Sequence, residues 1–102
     1  MAHKIFKLVL IRGFTEAYYQ LPEEENRKLH EAVHAAVEKA GAKVITPHYN
    51  CRWSNDQYAS FFLMEFPDIE SAIGNTADGD QVNLFRYIVG ESILGIDPGG
   101  ET

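Results

Sequence analysis

The feature that most constrains this chain is a set of predicted strands whose two faces are both apolar. Successive side chains of a strand point to opposite faces of a sheet. The first predicted strand, 4–12, carries Phe6, Leu8 and Leu10 on one side and Ile5, Val9 and Ile11 on the other. The third, 58–66, carries Tyr58, Phe62, Met64 and Phe66 against Ala59, Phe61 and Leu63. A sheet built from such strands must be covered on both faces.

The order of predicted elements indicates an α+β fold. Apolar runs predict strands at 4–12, 42–52, 58–66 and 87–96, and stripes at helical spacing predict helices from Pro22 to Gly41 and over 68–75. Residues 78–80, Asp-Gly-Asp, are expected to end the second helix, and 81–86 is either a helical turn or the start of the last strand. The order is the ferredoxin-like βαββαβ arrangement, a four-stranded antiparallel sheet with two helices on one face.

The chain of 102 residues has room for one core. We therefore predict a single domain over 1–97, followed by a flexible C-terminal tail at 98–102. Two helices cover one sheet face only, so the other apolar face needs a partner. Burying about eight large side chains contributes on the order of 12 to 24 kcal/mol per subunit, against an association cost of roughly 4 to 15 kcal/mol. A two-fold homodimer is the simplest prediction.

Three segments carry a family resemblance: YASFFLMEF at 58–66, PDIESAI at 67–73 and YIVGESILGI at 87–96. With the length and element order, they make the chain similar to the dimeric α+β barrel superfamily of ferredoxin-like proteins. That superfamily includes cofactor-independent monooxygenases, polyketide cyclases, muconolactone isomerase-like enzymes, haem-degrading enzymes and proteins of unknown role. The resemblance implies a small-molecule pocket between sheet and helices or inside the barrel, and it implies no particular reaction.

The catalytic candidates are His48, Arg12 and Glu91. By simple alternation His48 shares a strand face with polar neighbours, and Arg12 and Glu91 are expected to join it in an interior site. A half-buried imidazole near a carboxylate can act as a general acid or base near neutral pH. Together with the family resemblance, this implies a cofactor-independent enzyme of the monooxygenase, cyclase or isomerase type, acting on an aromatic or polyketide-like compound. A hydrogen-bonded, structural His48 is the alternative.

Aromatic side chains supply the ligand-binding candidates: Tyr58, Trp53, Tyr18 and Phe62. Amphipathic rings suit the mouth of a pocket for a flat organic ligand. They suit a dimer interface equally well. A non-catalytic ligand-binding or structural dimer therefore stands beside the enzyme hypothesis.

A third hypothesis is a zinc hydrolase, because residues 30–34 read His-Glu-Ala-Val-His on a predicted helix. Both histidines fall at the margin of the apolar stripe of that helix and face outward. Extended zinc motifs continue with Gly and His at the places that Val37 and Ala40 occupy. We expect solvated helix histidines and no metal site.

The composition limits the classes of partner that the protein is expected to bind. The formal net charge of −6 argues against nucleic-acid binding, which needs clustered Lys and Arg. No apolar run reaches membrane-spanning length, and the start MAHKIFKLVL lacks a small-residue cleavage site. Cys51 has no second cysteine to pair with. These features predict a cytoplasmic protein that binds no nucleic acid and no membrane.

Overall fold

Residues 4–97, which the computed structural model describes, form an α+β fold. The strands are β1 (Ile5–Phe14), β2 (Lys43–Val44), β3 (Tyr49–Asn50), β4 (Ser60–Phe66) and β5 (Ile88–Ile96). The helices are α1 (Glu16–Tyr19), α2 (Glu23–Lys39), α3 (Ile69–Gln81) and α4 (Leu84–Tyr87). The predicted α+β class is confirmed. The predicted tail at 98–102 lies outside the described residues.

The described strands form one open antiparallel sheet in the order β2-β4-β1-β5, and β3 also pairs with β4. β1 is central, with Leu8 opposite Leu63 of β4 and opposite Ile93 of β5. None of the helices found in 4–97 has both the length and the apolar character that a membrane crossing requires.

The predicted second strand is two short strands. Between β2 and β3, the backbone N–H groups of Ile45 and Thr46 both donate to the carbonyl of Leu63, at 2.8 and 3.4 Å, so the regular ladder is lost. Pro47 follows, which has no N–H to donate. The sheet therefore has five strands among the described residues, where the sequence predicts four.

The two long helices begin and end at local signals. Pro22 precedes α2, and Gly41, at a φ of 69°, follows it in the left-handed conformation. The side chain of Asp68 accepts a hydrogen bond from the Ser71 N–H at 2.7 Å and caps α3. These three signals are as predicted.

The prediction that 78–80 ends the second helix is wrong, since α3 continues to Gln81. A glycine inside a helix lowers the stability of the helix by only about 1 kcal/mol relative to alanine. Here the packing of Gly79 offsets that loss. Gly79 is buried, and a side chain there would meet Leu84 at 3.6 Å. Asp78 forms an ion pair with Lys39 of α2 at 3.3 Å. The open alternative for 81–86 resolves as helical: Gln81 ends α3, Asn83 turns the chain with a φ of 61°, and α4 begins at Leu84.

The two faces of the sheet differ sharply. The buried core joins Ile5, Met64 and Phe66 to Ala72 of α3, with Val37 of α2 packed against it. These strand residues share one face, which the long helices cover. The smallest extent of the Cα trace, 17 Å, fits one helix layer on one sheet layer.

The opposite face carries no helix of the described chain, and we call it the open face. By strand alternation and register its apolar members are Phe6, Leu8 and Leu10 of β1, Tyr49 of β3, Phe61 and Leu63 of β4, and Val89 and Ile93 of β5. None of the buried core residues found within 4–97 lies there. The apolar surplus predicted from sequence is real, and the described part of one chain leaves it uncovered.

Candidate functional site

A β-bulge brings three of the predicted site residues together. The pairing of β1 with β5 shifts register between Ile11 and Gly13, which leaves Arg12 as an extra residue. Opposite the bulge lies Gly90, where a Cβ atom would stand 2.5 Å from the carbonyl oxygen of Leu10. Only a residue without a side chain fits this close approach. The bulge lets the Arg12 side chain reach Glu91 on the open face.

Arg12, Tyr58 and Glu91 form the open-face cluster. Arg12 Nε donates to Glu91 Oε1 at 2.6 Å, and a second guanidinium nitrogen lies 2.5 Å from the same oxygen. The Tyr58 hydroxyl donates to Glu91 Oε2. The guanidinium carbon of Arg12 lies 5.3 Å from the centre of the Tyr58 ring. The cluster ties β1, β5 and the segment before β4 together at one end of the sheet.

The electrostatics of the cluster favour the ionised form of Glu91 and the neutral form of Tyr58. The hydrogen bond from Tyr58, then that from Arg12, lowers the pKa of Glu91 below the ordinary carboxyl value. The bond to Glu91 raises the pKa of Tyr58 above that of a free phenol. A general acid or base works best with a pKa near the working pH. Glu91 moves away from that range, so this arrangement suits holding a structure or orienting a ligand better than proton transfer.

The cluster's contribution to stability has two pH limits. Glu91 has a lowered folded-state pKa, so its contribution is present above the unfolded carboxyl pKa and is lost as pH falls through the folded value. Tyr58 has a raised folded-state pKa, so its contribution is present below the unfolded phenol pKa and is lost as pH rises through the folded value.

Tyr58→Phe is expected to raise the pKa of Glu91 toward the ordinary carboxyl value, because it removes the hydrogen bond that lowers it most. Titration of the glutamate side-chain carboxyl signals by NMR measures the midpoint. Tyr87→Phe, which removes a hydroxyl outside the cluster, is the matched control. An unchanged Glu91 midpoint in the Tyr58 variant would contradict the bond.

His48 does not join Arg12 and Glu91. Its ring stacks on Phe62, with centroids 4.2 Å apart and an interplanar angle of 24°. Phe62 alternates with core residues Met64 and Phe66, so His48 lies on the helix-covered side of the sheet, across from the cluster. Within 4–97 its ring makes no hydrogen bond or ion pair, and desolvation lowers its pKa. Alternation groups His48 with Val44 and Asn50, as predicted, but these residues pair on the core face and not on the face of Arg12 and Glu91.

The predicted ligand-binding aromatics are spread over separate parts of the fold. Tyr58 belongs to the open-face cluster, and Phe62 lies on the other sheet face. Tyr18 of α1 stacks on Phe14 at 4.5 Å, and its hydroxyl lies 3.1 Å from His30 Nε2. Trp53 is 85% exposed in the turn before β4 and donates to the Asn50 carbonyl at 3.1 Å. The structure does not gather these four rings into one pocket.

The zinc-like motif has other contacts. His30 meets Tyr18, and Glu31 forms an ion pair with Arg27, which also binds Glu24. Among residues 4–97 no group of three or more His, Cys, Asp or Glu side chains is placed to hold a metal ion. The motif therefore acts in this fold as part of a solvated, ion-paired helix surface.

A groove whose lining residues the sequence reasoning did not identify lies between α3 and the sheet. It has a volume of about 470 Å³ and opens on the helix-covered side. Its walls are Lys7, Ala72, Ile73, Thr76, Ala77, Asp80, Phe85, Ser92 and Leu94. Lys7 stands in the apolar strand β1, in phase with Ile5 and Val9 of the core face. That placement of a lysine was the available signal in the sequence.

Comparisons with known proteins bear on the fold alone. A crystal structure of a protein of unknown function from Rhodopseudomonas palustris, a structural genomics target, is similar over 100% of this chain and 86% of that one, with a TM-score of 0.57 and 13% sequence identity. No protein-family model matches the chain, and no curated protein is significantly similar in sequence. The chain is thus a small α+β domain with an antiparallel sheet, whose structural neighbour is itself uncharacterised.

Proposed function

We propose that this protein is a homodimer of the dimeric α+β barrel type that binds a small molecule. The open face is the subunit interface, and the groove between α3 and the sheet is the ligand site. One observation carries the proposal: large apolar side chains of β1, β4 and β5 line a sheet face that no described element covers. Soluble monomers rarely leave a contiguous apolar patch of that size exposed.

The sheet topology supports the ferredoxin-like assignment. β2 and β3 both pair antiparallel with β4, so they act as one edge strand interrupted around Pro47. Counted so, the strand order is that of a βαββαβ domain, with α2 and α3 as its two helices. α1 and α4 are single turns within the connections.

The open-face cluster is compatible with burial between subunits. Both carboxylate oxygens of Glu91 and the guanidinium of Arg12 already have partners in one chain. A buried charge is costly mainly when it is unpaired. If a second copy covers the open face, the charges of Arg12 and Glu91 are therefore buried as a pair.

The structure supports binding more directly than turnover. A proton-transfer role for His48 on an aromatic or polyketide-like compound, aided by Arg12 or Glu91, has no geometric support, because the cluster lies on the opposite sheet face. The non-catalytic ligand-binding dimer is favoured, because the side chains of Arg12, Tyr58 and Glu91 already hydrogen-bond to one another.

Sedimentation velocity of the full chain tests the dimer. At micromolar concentration we expect one species with the mass of two chains, since the sheet face is too apolar to remain in water. A single species with the mass of one chain at that concentration would overturn the proposed function.

A further inference from the structure

Lys7 is a half-buried cation without a carboxylate partner. Its ammonium donates to Thr76 Oγ1 at 3.2 Å, and within residues 4–97 it forms no ion pair. Burial lowers the pKa of Lys7, as expected for an ammonium held away from water. Buried charges in proteins are normally paired, because an uncompensated charge is costly. The missing counter-ion is the unusual feature of the groove.

The surroundings of Lys7 define the space for a counter-ion. Ala72, Ile73 and Ala77 of α3 form one apolar wall, and Leu94 of β5 and Phe85 of α4 form the other. Ile73, Phe85 and Leu94 are each at least half exposed, so the groove is open to solvent. The Thr76 hydroxyl accepts from the amine and donates to the Ala72 carbonyl at 3.3 Å, and Ser92 also lines the groove. A volume of about 470 Å³ lies within the range of small-molecule sites.

We propose that this groove binds a small monoanion with a flat apolar body, whose anionic oxygens pair with Lys7. The inference rests on the ligand site of the proposed function and adds the class of ligand: an organic acid of one or two rings. The amine pairs with the acidic group, and the apolar walls contact the ring.

The charge of the groove limits the ligand to one negative charge. Asp80 also lines it, and the C-terminal end of α3 adds partial negative charge nearby. Asp78 is engaged by Lys39 at 3.3 Å, so it does not neutralise Lys7. Lys7 can pair with one negative charge, and Asp80 would repel a second, which favours a monoanion over a phosphate ester or a dicarboxylate.

The test compares 2-naphthoate with its neutral isostere 2-naphthamide by fluorescence titration of the full chain. We expect naphthoate to bind at least tenfold more tightly than naphthamide. Lys7→Met should weaken naphthoate at least tenfold and change naphthamide by less than about twofold, whereas Lys7→Arg should keep the preference for the anion. Lys43→Met removes an exposed lysine on β2 and should leave both affinities unchanged.

Equal binding of the two probes, no naphthoate binding at millimolar concentration, or equal losses in the Lys7 and Lys43 variants would each overturn the anion site. Circular dichroism confirms that each variant is folded. Sedimentation of the same samples separates the two proposals, because the groove and the open face lie on opposite sides of the sheet. If the protein is a monomer and its naphthoate affinity depends on Lys7, only the dimer is refuted. If it is a dimer and its naphthoate affinity does not depend on Lys7, only the ligand class is refuted.

Discussion

Ile93→Glu is expected to convert the dimer to monomers. Ile93 lies on the open face opposite Leu8 and is 58% exposed in the single chain, so the folded subunit tolerates a carboxylate there. In the dimer that charge is buried without a partner, beside Glu91 on the same strand face. An unpaired buried charge costs about 3–5 kcal/mol, which corresponds to a rise in the dimer dissociation constant of at least about a hundredfold for one charge, and a two-fold dimer would bury two.

Leu94→Glu is the matched control. Leu94 is the next residue of the same strand and is 50% exposed, and it points to the helix-covered side. Sedimentation velocity over a concentration series should show monomers for Ile93→Glu and dimers for Leu94→Glu. If both variants stay dimeric, or both dissociate, the open face is not the interface.

Gly90→Ala is expected to destabilise the fold by about 1–3 kcal/mol, the usual range for forcing extra atoms into a packed site. The new Cβ would lie 2.5 Å from the carbonyl oxygen of Leu10 and 3.3 Å from Cα of Ile11. Both are backbone atoms of the central strand, so relief requires moving β1 or β5. The bulge at Arg12 is the part that would shift, which would also disturb the open-face cluster.

Gly95→Ala is the control on the same strand, because a Cβ there meets nothing within 4 Å. Its unfolding free energy should be unchanged or slightly higher, since glycine weakens a strand interior. Urea unfolding at one fixed protein concentration compares the variants with the parent protein, because a dimer's stability depends on concentration. Equal free energies for the two variants would show that β5 accommodates a side chain at Gly90.

Part of the candidate site was predictable from sequence. Arg12 and Glu91 were predicted to lie close together, and they form an ion pair on the open face, joined by Tyr58. The predicted third member, His48, lies across the sheet. Alternation groups His48 correctly with Val44 and Asn50, which pair with Met64 and Ser60 on the core face. It does not say which face of the neighbouring strands that group meets, and the register of the sheet places Arg12 and Glu91 on the opposite face.

The sequence by itself determined the features that depend on neighbouring residues: the α+β class, the start of α2 after Pro22, its stop at Gly41, the cap at Asp68 and the apolar character of both strand faces. Only the tertiary structure decided which face stays open, that α3 runs past Gly79, and that Lys7 lies in a groove without a counter-ion. Those outcomes depend on register, on the bulge at Arg12 and on packing between distant segments. Local propensity and periodicity carry no information about such contacts.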